Sequence, residues 1–200
     1  MKITECSIKD VLLLEPRTYA DARGLLYESF NQRGFSQASG LDLQFVQHNH
    51  SHSKRNVLRG LHYQSGRPQG KLVNVTAGEV FDVAVDIRPG SPTFGHWVGE
   101  ILSAANRCQM WLPPGMAHGF LVLSDSADVL YKMSDYYAPE SERCIAWDDP
   151  TLGIRWPLNG AMPILSAKDA AGGAFDVEAA RLWVGAQQAS LAERASVREI

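Results

Sequence analysis

HWVGEILSAANRCQMWLPPGMAHGFLVLSDSADVLYKMSD, residues 96–135, is the stretch that decides the fold class. Four short apolar-rich segments, 96–103, 108–112, 117–123 and 128–135, are separated by Ser103-Ala104-Ala105-Asn106, Pro113-Pro114-Gly115 and Ser124-Asp125-Ser126. Short runs bounded by Gly, Pro, Asn, Asp and Ser are strand signals, and their close spacing predicts a β-sandwich or barrel rather than βαβ units. On the last segment Val129, Tyr131 and Met133 share a face. Tyr131 is there either as a core aromatic with a satisfied hydroxyl or as a proton donor.

Upstream, Lys71 to Val75, a turn at Ala77-Gly78 and Glu79 to Ile87 predict a hairpin. Phe81, Val83, Val85 and Ile87 form one face, Asp82, Ala84 and Asp86 the other. The two aspartates face either a wet edge or the same cavity as Lys71. Before them comes Leu58-Arg59-Gly60-Leu61-His62-Tyr63-Gln64, a strand carrying an Arg and a His that both need polar partners once out of water. Regular alternation would point Arg59 and His62 to opposite faces. A glycine within a strand often marks a bulge, so Gly60 is expected to re-aim the chain until both look into one cavity. The alternative is a structural His beside a surface Arg.

Phe45 to Ser53 places His48, His50 and His52 on one strand face, a pattern compatible with metal binding. No acidic or sulfur ligand lies close in sequence, and Ser-Lys-Arg-Asn at 53–56 reads as a solvated loop. Gln47, Asn49 and Ser51 on the other face suit a polar ligand. Ile8 to Leu14 reads as a strand ended by Pro16. Asp21 to Gly24 is turn chemistry, after which Leu26, Glu28 and Phe30 share a face. Residues 32–42 have a short helical pattern that stops at Gly40. Residues 140–169 are irregular, and Glu178 to Arg194, after Gly172-Gly173, reads as a peripheral helix. The expected organisation is one domain over 1–173 and a helical tail over 174–200.

The chain has 200 residues, 45% apolar and 20% charged, with a net charge of −3, an ordinary globular composition that argues against a general nucleic-acid binder. Cys6, Cys108 and Cys144 lack CxxC spacing and read as free thiols in a reducing cytoplasm. There is no apolar signal core at the N-terminus and no long apolar run, so no membrane partner is expected.

The blocks DARGLLYESFN, FVQHNHSHS, LRGLHYQ, QGKLVNVTAGEVFDVAVDIR, SPTFG, LPPGMAHGF, YKMSDYYAP and LSAKD, in that order from about residue 3 to 169, resemble the dTDP-4-dehydrorhamnose 3,5-epimerases. The resemblance implies an all-β cupin-type jelly-roll barrel with short peripheral helices, a homodimer, a dTDP-sugar substrate, and catalysis with no metal and no organic cofactor. Residue by residue it makes His62 the base, Tyr131 the proton donor on the opposite face, Lys71 the cation beside the reacting ketone, and Asp169 the partner of the base. Arg59 and Arg23 match phosphate contacts, Tyr137 the aromatic stacked on thymine, and Glu28, Gln47, Asn49, His118, Glu142 and Lys168 further substrate contacts. His48 stands where an acidic residue is expected, and Cys144 where glycine is expected.

The implied substrate, dTDP-4-dehydro-6-deoxy-D-glucose, has C3 and C5 hydrogens α to its C4 ketone, acidic enough to be removed by a base. Other readings are an epimerase acting at C3 only or C5 only, a metal-dependent cupin oxygenase or isomerase using the histidine run, and a non-catalytic sugar-nucleotide-binding module.

Overall fold

The computed structural model describes residues 1–175. The strands are β1 (Lys2–Glu5), β2 (Leu12–Glu15), β3 (Thr18–Asp21), β4 (Gly24–Tyr27), β5 (Gln47–Lys54), β6 (Leu58–Gln64), β7 (Lys71–Ala77), β8 (Glu79–Asp86), β9 (Trp97–Ser103), β10 (Gln109–Leu112), β11 (Met116–Val122), β12 (Ser126–Met133) and β13 (Glu142–Cys144). Two α-helices, α1 (Gln32–Ser39) and α2 (Ala167–Ala170), and a 3-10 turn at Pro139–Ser141 complete the described elements. The larger sheet has six strands in the order β1-β2-β10-β7-β12-β5 and the smaller has five in the order β13-β6-β11-β8-β9. Strand neighbours within both are antiparallel. Two sheets of short antiparallel strands are what the 96–135 pattern predicts, and their jelly-roll arrangement is what the resemblance implies; the segments read there as strands are β9 to β12, to within two residues at each end.

The core follows from alternation. Inward residues of the two sheets, among them Val73, Val75, Val80, Ala84, Met110, Phe120 and Val129, are nearly inaccessible and pack into one cluster. Burying each Val, Met or Phe side chain among them stabilises by about 1.5–3 kcal/mol before entropy is counted. Phe81, Val83, Val85 and Ile87 form an outward face, as their spacing predicts, and that face is covered by Ile145, Leu152 and Phe175. The outer face of the larger sheet is covered by α1. Asn31 caps that helix by accepting from the Gly34 N–H at 2.9 Å, Gly40 ends it at φ 72°, and Phe35 packs edge-on against Trp111.

Several local expectations give way to the tertiary fold. Lys71–Ala77 and Glu79–Asp86 do not form a hairpin: β7 pairs with β10 and β12, whereas β8 pairs with β9 and β11. The tight turn carries the chain from one sheet to the other. It needs glycine at 78, where φ is +75° and a Cβ would lie 2.0 Å from the Ser126 carbonyl oxygen. The stretch Ile8 to Leu14 is a loop followed by β2, and β5 persists through His52 to Lys54 because β12 pairs with it along its whole length. Beyond Gly173, which bridges to Ile145, Phe175 still packs in the core and its N–H donates to Asp149 at 2.7 Å. The helix expected over 178–194 lies outside the described residues.

Candidate active site

Arg59 and His62 do look into one cavity. In the β6–β11 register Arg59 pairs with Phe120 and His62 with His118, so three steps on β6 match two on β11, a one-residue bulge. Gly60 sits at its centre with φ +120°, and a Cβ there would lie 2.6 Å from both the Gly119 Cα and the His118 carbonyl oxygen. Only glycine fits, and the extra residue turns Arg59 onto the side that His62 faces. The cavity lies between the sheets at the end where β6, β7, β11 and β12 converge, and Asn49, Tyr137, Glu142 and Lys168 also line it. Its volume is about 230 Å³, below the roughly 300–1,000 Å³ of pockets that enclose a whole drug-sized ligand. A sugar ring fits inside, and a larger substituent on it must extend through the mouth.

His62 belongs to the smaller sheet and Tyr131 to the larger, so the two reach the cavity from opposite walls. Asp169 reaches His62 from behind: its Oδ1 lies 2.5 Å from the imidazole Nε2, and the carboxylate is 4% exposed. Ser166 caps the short helix α2, accepting from the Asp169 N–H at 3.1 Å and donating to Asp169 Oδ2 at 2.7 Å, which fixes the carboxylate. The bond assigns the Nε2–H tautomer to neutral His62 and leaves the Nδ1 lone pair free. Burial holds the His62 pKa below its ordinary value, with Asp169 opposing that shift. The ring is therefore a neutral base at pH 7.

Lys71 opens β7, and its Nζ donates to the His62 carbonyl oxygen at 3.4 Å. Enclosure in the cavity lowers its pKa to about 8, against the pull of Asp82 and Glu142. It remains mostly protonated at pH 7 but loses its proton far more easily than a surface lysine. The Tyr131 hydroxyl has no hydrogen-bond partner among the described residues, unlike that of a satisfied core tyrosine, and is left to a ligand. At the mouth the Tyr137 hydroxyl donates to Glu142 at 2.7 Å and Lys168 pairs with the same carboxylate at 2.6 Å. Burial pushes Glu142 up, but these partners outweigh it and hold its carboxyl below the usual range.

Not every residue expected at the site is there. Gln47 stands one step back, its amide donating to Asn49 and its carbonyl accepting from the Tyr137 N–H at 2.9 Å. Glu28 accepts from Asn31 on the surface. Arg23 lies on the exposed β3–β4 hairpin, paired with Asp21 at 2.6 Å and 90% exposed, and does not line the cavity. His48, His50 and His52 share a face as expected, but it is the solvent side of edge strand β5. There Asp128 holds His50 at 2.8 Å and His52 at 3.2 Å.

Of the two aspartates on β8, Asp82 is the one that serves the cavity. It is fully buried and pairs with His118 Nε2 at 3.0 Å, giving a second His–Asp pair beside Lys71. Its place opposite the apolar face of β8 was the available signal. Asp86 is instead a loop anchor, accepting from Arg88, Ser91 and Thr93, which accounts for the Ser-Pro-Thr block.

The profile of the dTDP-4-dehydrorhamnose 3,5-epimerase family matches residues 5–176. The chain belongs to this family. A dTDP-4-dehydrorhamnose 3,5-epimerase of Pseudomonas aeruginosa is 62% identical over 175 residues, 88% of this chain and 96% of that protein. A crystal structure of dTDP-6-deoxy-D-glucose-3,5-epimerase from Legionella pneumophila, in complex with dTDP-4-keto-L-rhamnose, superposes with a TM-score of 0.85 at 54% identity, covering 88% of this chain and 95% of that one. A 3'-monoepimerase from Streptomyces bikiniensis in complex with dTDP-quinovose superposes at 0.81 with 35% identity, covering 92% and 97%. The same fold is thus found in a 3,5-epimerase and in a 3'-monoepimerase.

Proposed function

We propose that the protein is a dTDP-4-dehydrorhamnose 3,5-epimerase that inverts C3 and C5 of dTDP-4-dehydro-6-deoxy-D-glucose through this cavity. The observation that carries the mechanism is a carboxylate-backed imidazole and an unpartnered tyrosine hydroxyl on opposite walls, with a cation beside them. His62 Nδ1 removes the proton α to the C4 ketone, and Asp169 stabilises the imidazolium that results. The electron pair moves onto the C4 oxygen, where Lys71 stabilises the enolate. Preorganised groups of this kind contribute on the order of 3 kcal/mol each. Tyr131 returns a proton to the carbon from the other wall, and the configuration inverts.

The 62% identity to a 3,5-epimerase, against 35% to a monoepimerase, favours double inversion. The sugar sits inside and the nucleotide extends through the mouth past Arg59, Lys168 and Tyr137, with the Arg59 fork suited to pyrophosphate oxygens. Incubation in D2O with the 4-keto sugar nucleotide, read by NMR, tests this. Deuterium is expected at both C3 and C5. Label at one centre only would overturn double inversion, and label at neither would overturn the epimerase reading.

We further propose a homodimer in which the β3–β4 hairpin of one copy reaches the cavity mouth of the other. The support is that this hairpin is bonded to neither large sheet, and exposes Leu25, Leu26 and Arg23 together. Light scattering is expected to give twice the 22.0 kDa chain mass, and a monomer mass would refute it. Three free cysteines fit the cytoplasm as its location.

A further inference from the structure

We propose that His62, Cys144 and Asp169 form an inhibitory site for a thiophilic divalent cation, zinc foremost, whose capture reversibly switches the enzyme off. The inhibitory part rests on the reading of His62 as the base; the binding part does not. One ligand atom from each residue lies within 4.8 Å of the other two. The fold imposes this proximity. Cys144 on β13 is directly opposite His62 in the strand register, and α2, capped by Ser166, sets the Asp169 carboxylate against the imidazole.

An imidazole nitrogen, a thiol and a carboxylate are the donor set of zinc sites, and the sulfur selects against magnesium and calcium. Around a tetrahedral zinc, bonds of about 2.0–2.3 Å put ligand atoms roughly 3.3–3.6 Å apart. The present separations reach that with side-chain rotations of an ångström or so. The His62–Asp169 contact opens slightly and Cys144 closes in. Three protein ligands leave a fourth position free for water, as in open zinc sites. The cation enters through the cavity that His62 lines.

The ion binds at Nε2, beside Asp169, so the Nε2 proton is lost and Nδ1 takes one up from solvent, while the thiol releases its own proton to solvent. No electron is transferred. His62 then has no free base nitrogen in its working orientation, and turnover stops until a chelator removes the ion. Nothing in the epimerisation uses Cys144, so the thiol can be changed without touching the reaction.

The test combines spectroscopy with inhibition on the full chain, using cobalt(II) as the optical probe and zinc as the inhibitor. Wild type is expected to show a near-ultraviolet thiolate-to-cobalt charge-transfer band, lost in both Cys144→Ser and Cys144→Gly while Cys6 and Cys108 remain. Both variants should keep basal turnover and need at least 10-fold more zinc for half-inhibition. EDTA should restore zinc-treated wild type. His62→Asn should weaken cobalt binding as well as abolish turnover. If His62→Asn leaves turnover intact, the base reading fails while the cobalt band still reports the metal site. Equal inhibition of wild type and both variants, or a cobalt band without inhibition, would overturn the proposal.

Discussion

Replacing Asp169 by Asn removes one negative charge from a 2.5 Å contact with His62 and changes the volume hardly at all. A hydrogen bond to a charged group is worth about 1.5–3 kcal/mol, or roughly 10- to 150-fold in rate at 1.4 kcal/mol per decade. That is the expected loss in kcat/KM if the Asn presents its carbonyl oxygen to Nε2–H. If it presents its amide instead, the imidazole is forced into the Nδ1–H tautomer, the base lone pair turns away, and the loss approaches 10⁴-fold, on the scale of the same exchange in serine proteases.

The pH profile separates this from a merely structural effect. His62 must be neutral to accept a proton, so activity falls as pH drops through its pKa, which burial already holds below 6.5. Asp169 raises that pKa, so removing it moves the acid limb to still lower pH. The assay is kcat/KM from pH 5 to 9 by NMR, with the folded state checked by thermal melting. A loss within twofold, or an acid limb that stays put or moves up while the fold is intact, would refute the positioning role of Asp169.

Lys71 must carry its proton, so activity should fall as pH rises through about 8; Lys71→Met should lower kcat by about 10²–10³-fold and abolish this alkaline limb in the same profile. Tyr131→Phe keeps the base and the cation, so deuterium should wash into C3 and C5 with retained configuration while inversion slows by about 10²-fold or more; equal loss of exchange and inversion would show that Tyr131 is no opposite-wall acid. Gly60→Ala forces a Cβ to within 2.6 Å of backbone atoms at φ +120°, which should cost about 3 kcal/mol and lower Tm by roughly 6–12 °C by calorimetry.

The short, closely spaced strands of 96–135 were legible because alternation and turn chemistry are local properties, and α1 was legible from its period and its Gly40 stop. Gly60, between Arg59 and Leu61, pointed to the bulge because a glycine within a strand often marks one; the register against β11 decided between that and a structural His beside a surface Arg. The resemblance of ordered blocks supplied the roles proposed for His62, Lys71, Tyr131 and Asp169, which no spacing could have supplied. The hairpin expected at Ala77-Gly78 failed because a two-residue turn looks the same whether its strands pair or part. Which they do depends on β10, β12, β9 and β11, the partners waiting on either side.

What the sequence determined by itself was the alternation of each strand, the caps and turns, and the kinds of chemical group available. Only the tertiary structure decided which groups meet. His62 and Asp169 are 107 residues apart, His118 and Asp82 are 36 apart, and Arg59 shares a cavity with His62 only through a bulge read against β11. Cys144 faces His62 through the β6–β13 register, and Arg23, expected as a phosphate contact, stands outside the cavity. Side-chain direction is set by neighbours along the chain, whereas contact is set by which strands pair and in what register. Pairing is chosen by burial of the whole core, a property that no local stretch contains.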